Sequence, residues 1–483
     1  VALPLNTRPN SDPGTGSDPG TGSEPGTGSA PDARPDTASD TAPGPISPVE
    51  ASPDVSPAAD RAGFYLFAGH LFTLFGIALS NILAGLLLLS SPWTAGRRRL
   101  AAAMGRSAPA GASGRADWRA VATPRRWLFA ALGTYVAWLF LSLATSYDPA
   151  ASTSGLSELF TLTTLIFAFA LVRGEARVRW VVDGLGLVGG GVAVWGLAQY
   201  FTGYGEINAR IRGPFSHWMT FSGFLLLCDL LMVSALLFRG ATLRRRFGWL
   251  AVGWRAAAVA LMTAALLGSL TRSAWVGLGV ALVVAALLRS PRSVVAFPVV
   301  ALAFVLLAPV PLLHRVASTV DLSDASNYDR LCMAEAALHM VADRPLTGLG
   351  PEQVEPRYPI YRPPTAPRYS VPHLHNNYLQ VAAERGLPAL FAYLVLMLAP
   401  LVAGWRLYRG QGGRRGPRAD LLVGVLTALL AFHVAGLFEY NWGDTEVQRL
   451  VLFLLAVPFC LALAEEGAAP RERAVKEAAE TAG

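Results

Sequence analysis

Charge is scarce in this chain. Of its 483 residues only 15% are charged, while 53% are hydrophobic. A soluble protein of this length would form two or three domains, each with amphipathic elements around a core. Here the apolar residues come in blocks of about twenty, apolar on every side, one after another from Phe64 onward. Those blocks exclude most soluble enzymes, nucleic-acid binders and structural repeats. Cysteine is nearly missing too. Cys228, Cys332 and Cys460 stand far apart, which supports neither a disulfide framework nor a zinc site. Lysine occurs once, at Lys476, so 39 of the 40 positive residues are arginine. The net charge is +7, but before Phe64 three Arg face nine acids, which leaves the remainder at +13.

What is present falls into three parts. Residues 1–62 repeat SDPGTG, SDPGTG and SEPGTG and continue in Pro, Ala, Ser and Asp. Such a segment has almost nothing to bury and is expected to be a disordered tail; it lacks the charged start and apolar core of a signal peptide. Residues 63–465 hold the apolar blocks, and 466–483 form a C-terminal tail expected on the cytoplasmic side.

The connections between blocks fix the topology. Segments 97–126, 173–179, 239–246, 289–293 and 406–419 carry 22 Arg and two acids. The alternate set, 147–155, 202–217, 271–273, 314–386 and 439–446, carries ten Arg and 13 acids. Positive charge stays cytoplasmic, so the first set is assigned inside and the second outside. The expected fold is an all-α polytopic membrane protein with 11 or 12 transmembrane helices. The alternative arises at Phe64–Ser91, which forms either one tilted span or a hairpin of two short helices. One outer segment is large: 314–386, with a helix expected over Tyr328–Ala342. A long ordered loop on a minimal scaffold is where function usually sits.

That outer set gathers unusual polar groups. Arg272, in SLTRSAWVG, occupies a turn of about three residues between two blocks, where an ionisable side chain is expensive unless paired. It reads as a functional group or as a snorkelling helix-end marker. Arg210 and Arg212 in ARIRGPFSH are either site residues or solvated loop charges. His375 opens HNNYLQVAAERG, in which His375, Tyr378, Leu379 and Ala382 share a helical face. His373, Arg330 and Glu384 are supporting candidates on the same segment. The two histidines have no carboxylate or Cys at ligand spacing, so no metal is expected. The outer segments contain no Asp-x-Asp pair, against a Mg²⁺–nucleotide-sugar site. Arginines converging at a membrane surface suit a diphosphate, since guanidinium offers paired donors and stays charged. A neutral imidazole beside them suits removal of a hydroxyl proton. The chemistry implied is transfer from a lipid-linked diphosphate.

RIRGPFSH before one span, SLTRSAW opening another, DRPLTGLG in the large loop and HNNYLQVAAERG before the next occur in the order of the O-antigen ligase/polymerase superfamily, which the chain resembles over roughly Trp127 to Ala464. The resemblance implies a metal-independent, inverting glycosyltransferase of the bacterial inner membrane, without cofactor. It would take a glycan from undecaprenyl diphosphate at the periplasmic face and pass it to lipid A–core (ligase) or to another lipid-linked repeat unit (polymerase). A protein O-oligosaccharyltransferase differs only in acceptor, and an anion transporter is the reading from another class. The partners implied are the lipid-linked donor, the acceptor and membrane lipid, with no nucleic acid. Residue by residue, the resemblance assigns diphosphate binding to Arg272 and to Arg210 or Arg212, and action on the acceptor hydroxyl to His375. Ser216–His217–Trp218 departs from the Gly-Asn-Pro or Gly-His-Pro of many relatives.

Overall fold

The computed structural model describes residues 57–90, 115–203, 210–295, 306, 310–319, 321 and 324–462. Most of the N-terminal tail, the C-terminal tail and most of the block Val294–Leu313 lie outside these residues. Among the described residues the regular structure is helical: α1 Pro57–Phe72, α2 Ile77–Leu89, α3 Arg115–Ala144, α4 Pro149–Ser152, α5 Ser157–Leu171, α6 Gly174–Phe201, α7 Trp218–Gly268, α8 Arg272–Arg289, α9 Val310–Ala317, α10 Ala325–Asp343, α11 Val354–Tyr361, α12 Asn377–Gly410, α13 Ala419–Ala435 and α14 Thr445–Ala462. Seven helical stretches are long and apolar enough to cross a membrane, and α2 and α13 are shorter apolar helices. The chain is an all-α polytopic membrane protein.

Two features follow from local chemistry. The front block is a hairpin: α1 and α2 are separate helices, and across the turn the Ser80 hydroxyl donates to the His70 carbonyl at 3.0 Å. The 51-residue α7 is two runs broken at Gly248, whose φ of 78° suits glycine. The halves lie side by side, because the Thr263 hydroxyl reaches back to Asp229 at 2.8 Å. Asp229 therefore pairs within its own element and not with Arg272. Between α6 and α7, side chains of α7 pack into the space left over glycines of α6. A Cβ at Gly186 would meet Met232 Sδ at 2.4 Å, and one at Gly196 would meet the Phe221 ring at 2.5 Å. In lipid, where apolar surface gains little by burial against another helix, such small-residue contact is what lets helices associate.

The large loop has a small core of its own, built from Met333, Ala336, Ala337, Met340, Leu349 and Tyr358 among others. Its helix α10 covers the expected Tyr328–Ala342 and extends three residues earlier and one later. The loop is stitched backbone to backbone onto the first turns of α12. Leu349 N–H donates to Ala383 O at 2.8 Å, Gly350 N–H to Glu384 O at 3.0 Å, and Leu387 N–H to Pro345 O at 2.8 Å. The PLTGLG and ERG motifs are thus the two sides of one seam. Gly348 (φ 67°) and Gly386 (φ 81°) permit it, since a Cβ at either would fall 2.3 Å from the opposite backbone.

Candidate active site

The seam holds the start of α12, and HNNYLQ fixes everything around it. Asn376 caps the helix by accepting from the N–H groups of Tyr378 and Leu379, and its amide donates to Leu437 O at 2.9 Å. Asn377 accepts from Trp442 N–H at 3.0 Å. Gln380 accepts from Leu374 N–H at 2.8 Å and donates to Glu384 at 2.9 Å. The segment before α12 is therefore tied to the 436–442 turn between α13 and α14. His375 precedes the cap with φ 48°, a left-handed conformation that is uncommon outside glycine and concentrates at functional sites.

Beside this segment is a cavity of about 290 Å³ lined by Arg210, Arg272, Arg330 and His375, with Asn327, Asn376 and an apolar wall that includes Leu331 and Phe438. Four of the sequence-predicted residues, distant in the chain, converge there. Arg272 is the first residue of α8 and is buried. It donates to Ser318 O at 2.7 Å, to the Ser318 hydroxyl at 3.0 Å and to Asp324 at 3.0 Å. Asp324 is also the N-cap of α10, so Arg272 ties the membrane helices to the loop. Burial pushes the Asp324 carboxyl up, but the Arg272 hydrogen bond and charge outweigh it and hold the group below the usual range. Arg330 donates to Phe438 O at 3.0 Å and to the Ser326 hydroxyl at 2.7 Å.

His375 has a partner that sequence reasoning missed. Its Nδ1 lies 2.8 Å from Glu439 Oε1. Glu439 is 2% exposed, and burial alone would raise its carboxyl. The His375 hydrogen bond and the charges of His375, His373 and Arg330 reverse that and hold it below its usual value. An ionised carboxylate only accepts, so Nδ1 carries the hydrogen, and in the neutral form of the imidazole the lone pair is on Nε2. His373 packs against His375 with ring centroids 4.3 Å apart, and burial with the neighbouring His375 pushes its imidazole down to about 4. His217, singled out in the sequence only for departing from the relatives' motif, feels the same Glu439 and His375 and is lowered chiefly by burial. The only advance signal for Glu439 was its place in the short acidic EYNWGDTE connection, where it counted merely as charge.

The reason for setting a metal aside does not survive folding, because Glu439 joins His373 and His375 with ligand atoms all within 4.8 Å of one another. As folded, however, the His375–Glu439 separation is that of an N–H···O bond. Two atoms sharing one tetrahedral zinc at about 2.0–2.1 Å would stand roughly 3.3 Å apart.

Two candidates fall elsewhere. Arg212 lies on the other side of the 210–217 segment, with Nη1 donating to Ser216 O at 2.8 Å. Glu384 is buried in the seam, accepting from Glu352 N–H at 3.1 Å and from Gln380. Among the described residues the non-helical breaks inside long helices fall at Gly248, beside Arg244–Arg246, and at Gly386 in the loop seam.

Residues 257–394 match the family model described as O-antigen ligase. The match contains Arg272, Arg330, His373, His375 and Glu384, whereas Arg210, Arg212 and Glu439 lie outside it. No curated protein matches the chain.

Proposed function

We propose that this chain, a member of the O-antigen ligase/polymerase superfamily by its domain at residues 257–394, is an O-antigen ligase-type glycosyltransferase. It moves a glycan from undecaprenyl diphosphate to a hydroxyl of lipid A–core, at the periplasmic face of the inner membrane. The observation that carries this reading is the convergence of Arg210, Arg272, Arg330 and the Glu439-oriented His375 on one cavity. The guanidinium groups hold the diphosphate and its developing charge. His375 Nε2 takes the proton of the acceptor hydroxyl as that oxygen bonds to the anomeric carbon. The bond from that carbon to the diphosphate oxygen breaks on the opposite face, its electron pair leaves with the diphosphate, and the configuration inverts. Glu439 stabilises the imidazolium formed, as the carboxylate of a catalytic triad does. No step calls on a metal.

The lipopolysaccharide of a deletion strain tests the reading. Loss of all core-linked polymer, with polymerised chains left on undecaprenyl diphosphate, is the expected result. A single repeat unit left on the core would make the enzyme a polymerase, and an unchanged pattern would overturn both. The orientation rests on the charge alternation. Single cysteines at Ser154 and Thr242, both exposed, should react with a membrane-impermeant reagent from outside and from inside respectively. The three native cysteines are buried and stay silent.

A further inference from the structure

The segment from Arg210 to His217 has two sides, and only one faces the cavity. The other side opens onto a groove of about 680 Å³ formed with the end of α6, lined by Trp195, Gln199, Thr202, Arg212, Phe215 and Ser216 among others. The groove floor is tied to α6 and α7 by side-chain contacts. Gln199 donates to Gly213 O at 2.7 Å and accepts from the N–H groups of Arg212 and Gly213, while Phe215 is buried against Phe224 at 5.4 Å. Among the described residues Arg212 has no carboxylate partner, in contrast to Arg272, Arg368 and Arg385 on the same face. The flank leading to the groove faces lipid. Leu187, Val194 and Trp195 form an exposed apolar stripe on α6, and exposed Tyr200 and Phe201 end it as aromatics do at a membrane boundary.

A cation without a carboxylate partner among the described residues, on a hydrogen-bonded polar floor, reached from the bilayer past an aromatic rim, fits an anionic headgroup on a membrane-anchored saccharide. We propose that this groove is a second substrate subsite, which holds the phosphorylated lipid end of the acceptor while the donor diphosphate occupies the Arg210 side of the same segment. The proposal rests on the glycosyltransferase reading and adds to it the place where the acceptor's phosphate is held. Arg212 supplies charge and paired donors to that phosphate, Gln199 fixes the segment that carries it, and Trp195 flanks the sugar or acyl junction. Arg212 is a binding residue, not a group acting on the reacting atoms.

The test is equilibrium binding to the purified full chain in nanodiscs of phosphatidylcholine. The probes are bisphosphorylated lipid A–core, the same glycolipid stripped of phosphate, and undecaprenyl diphosphate. In Arg212→Ala the bisphosphorylated probe should bind about tenfold more weakly, the loss of one charge-assisted contact. The stripped probe should bind variant and wild type alike, undecaprenyl diphosphate should keep its affinity, and Arg212→Lys should recover part of the loss. Equal binding of both glycolipids by Arg212→Ala and wild type would overturn the subsite. So would a matching loss for undecaprenyl diphosphate, or displacement of the bisphosphorylated probe by phosphatidylglycerol placed in the nanodisc. A chain that shows the expected binding pattern yet transfers no glycan would count against the proposed reaction and for the subsite.

Discussion

Glu158 and Glu439 are two carboxylates shielded within the same end of the molecule, and they are held in opposite ways. Glu158, in the first turn of α5, accepts four hydrogen bonds: from the Tyr135 hydroxyl at 2.9 Å, Trp442 Nε1 at 3.0 Å, Gln448 Nε2 at 3.0 Å and Arg385 Nη2 at 2.7 Å. Both of its oxygens are used. Glu439, three residues before Trp442, accepts from His375 and from its own neighbour's Tyr440 N–H at 3.2 Å. Its second oxygen has no hydrogen bond among the described residues, and Arg330 stands 3.9 Å away. A fully satisfied carboxylate is a strut, joining α3, α5, α12 and α14. A half-satisfied one beside an imidazole, at a residue held with positive φ, stores the capacity to respond when that imidazole gains a proton.

The comparison can be broken from either side. The largest effect is expected at His375→Ala, because general-base catalysis contributes about 10²–10⁴-fold. Transfer by purified protein should fall by that order while donor binding stays near wild type. Glu439→Gln keeps a hydrogen-bonding group but loses the charge that stabilises imidazolium. Its turnover should drop on the order of tenfold to a hundredfold with little change in melting temperature, which a turnover assay beside a thermal scan reads directly. Glu158→Ala should show the reverse. It strands Arg385 in the interior, and breaking such a pair costs about 3–5 kcal/mol, so the melting temperature should fall sharply. Turnover of the fraction still folded at low temperature should stay near normal.

The smallest effect is a pH slope. His373 is pushed down to about 4 in the fold, against 6.5 in an open chain. Between those values the unfolded state binds the proton and the native state does not, so stability falls as pH drops from about 6.5 to 4. His373→Gln should flatten that part of the curve, with transfer less affected than in His375→Ala. An equal loss of transfer would give both histidines the same weight.

Most of the helical fold was legible because a span announces itself: about twenty apolar residues are required. The two-helix hairpin at the front was legible only as an alternative, since 28 apolar residues suit either form and the deciding contact, Ser80 to His70, is tertiary. In the site, Arg272 and His375 stood out by position, one in a minimal turn and one in an unusual polar run. Choosing Arg210 over Arg212 as the cavity residue needed the two sides of the irregular 210–217 segment, which spacing of two residues does not reveal. Glu439 was hidden because 64 residues separate it from His375. The Asn376 and Asn377 bonds to the 436–442 turn help bring them together.

The central claim is that the cavity is a diphosphate site held by paired guanidinium donors, and undecaprenyl diphosphate binding by Arg272 variants tests it most directly. Arg272→Lys keeps the charge and loses the paired geometry. Its affinity should be nearly as poor as that of Arg272→Ala, each down roughly a hundredfold for a lost charge-assisted bidentate contact. Asp324→Asn breaks the same ion pair with Arg272 intact and should bind within a fewfold of wild type, which separates grip from folding. Wild-type affinity in Arg272→Ala, or full recovery in Arg272→Lys, would contradict the account.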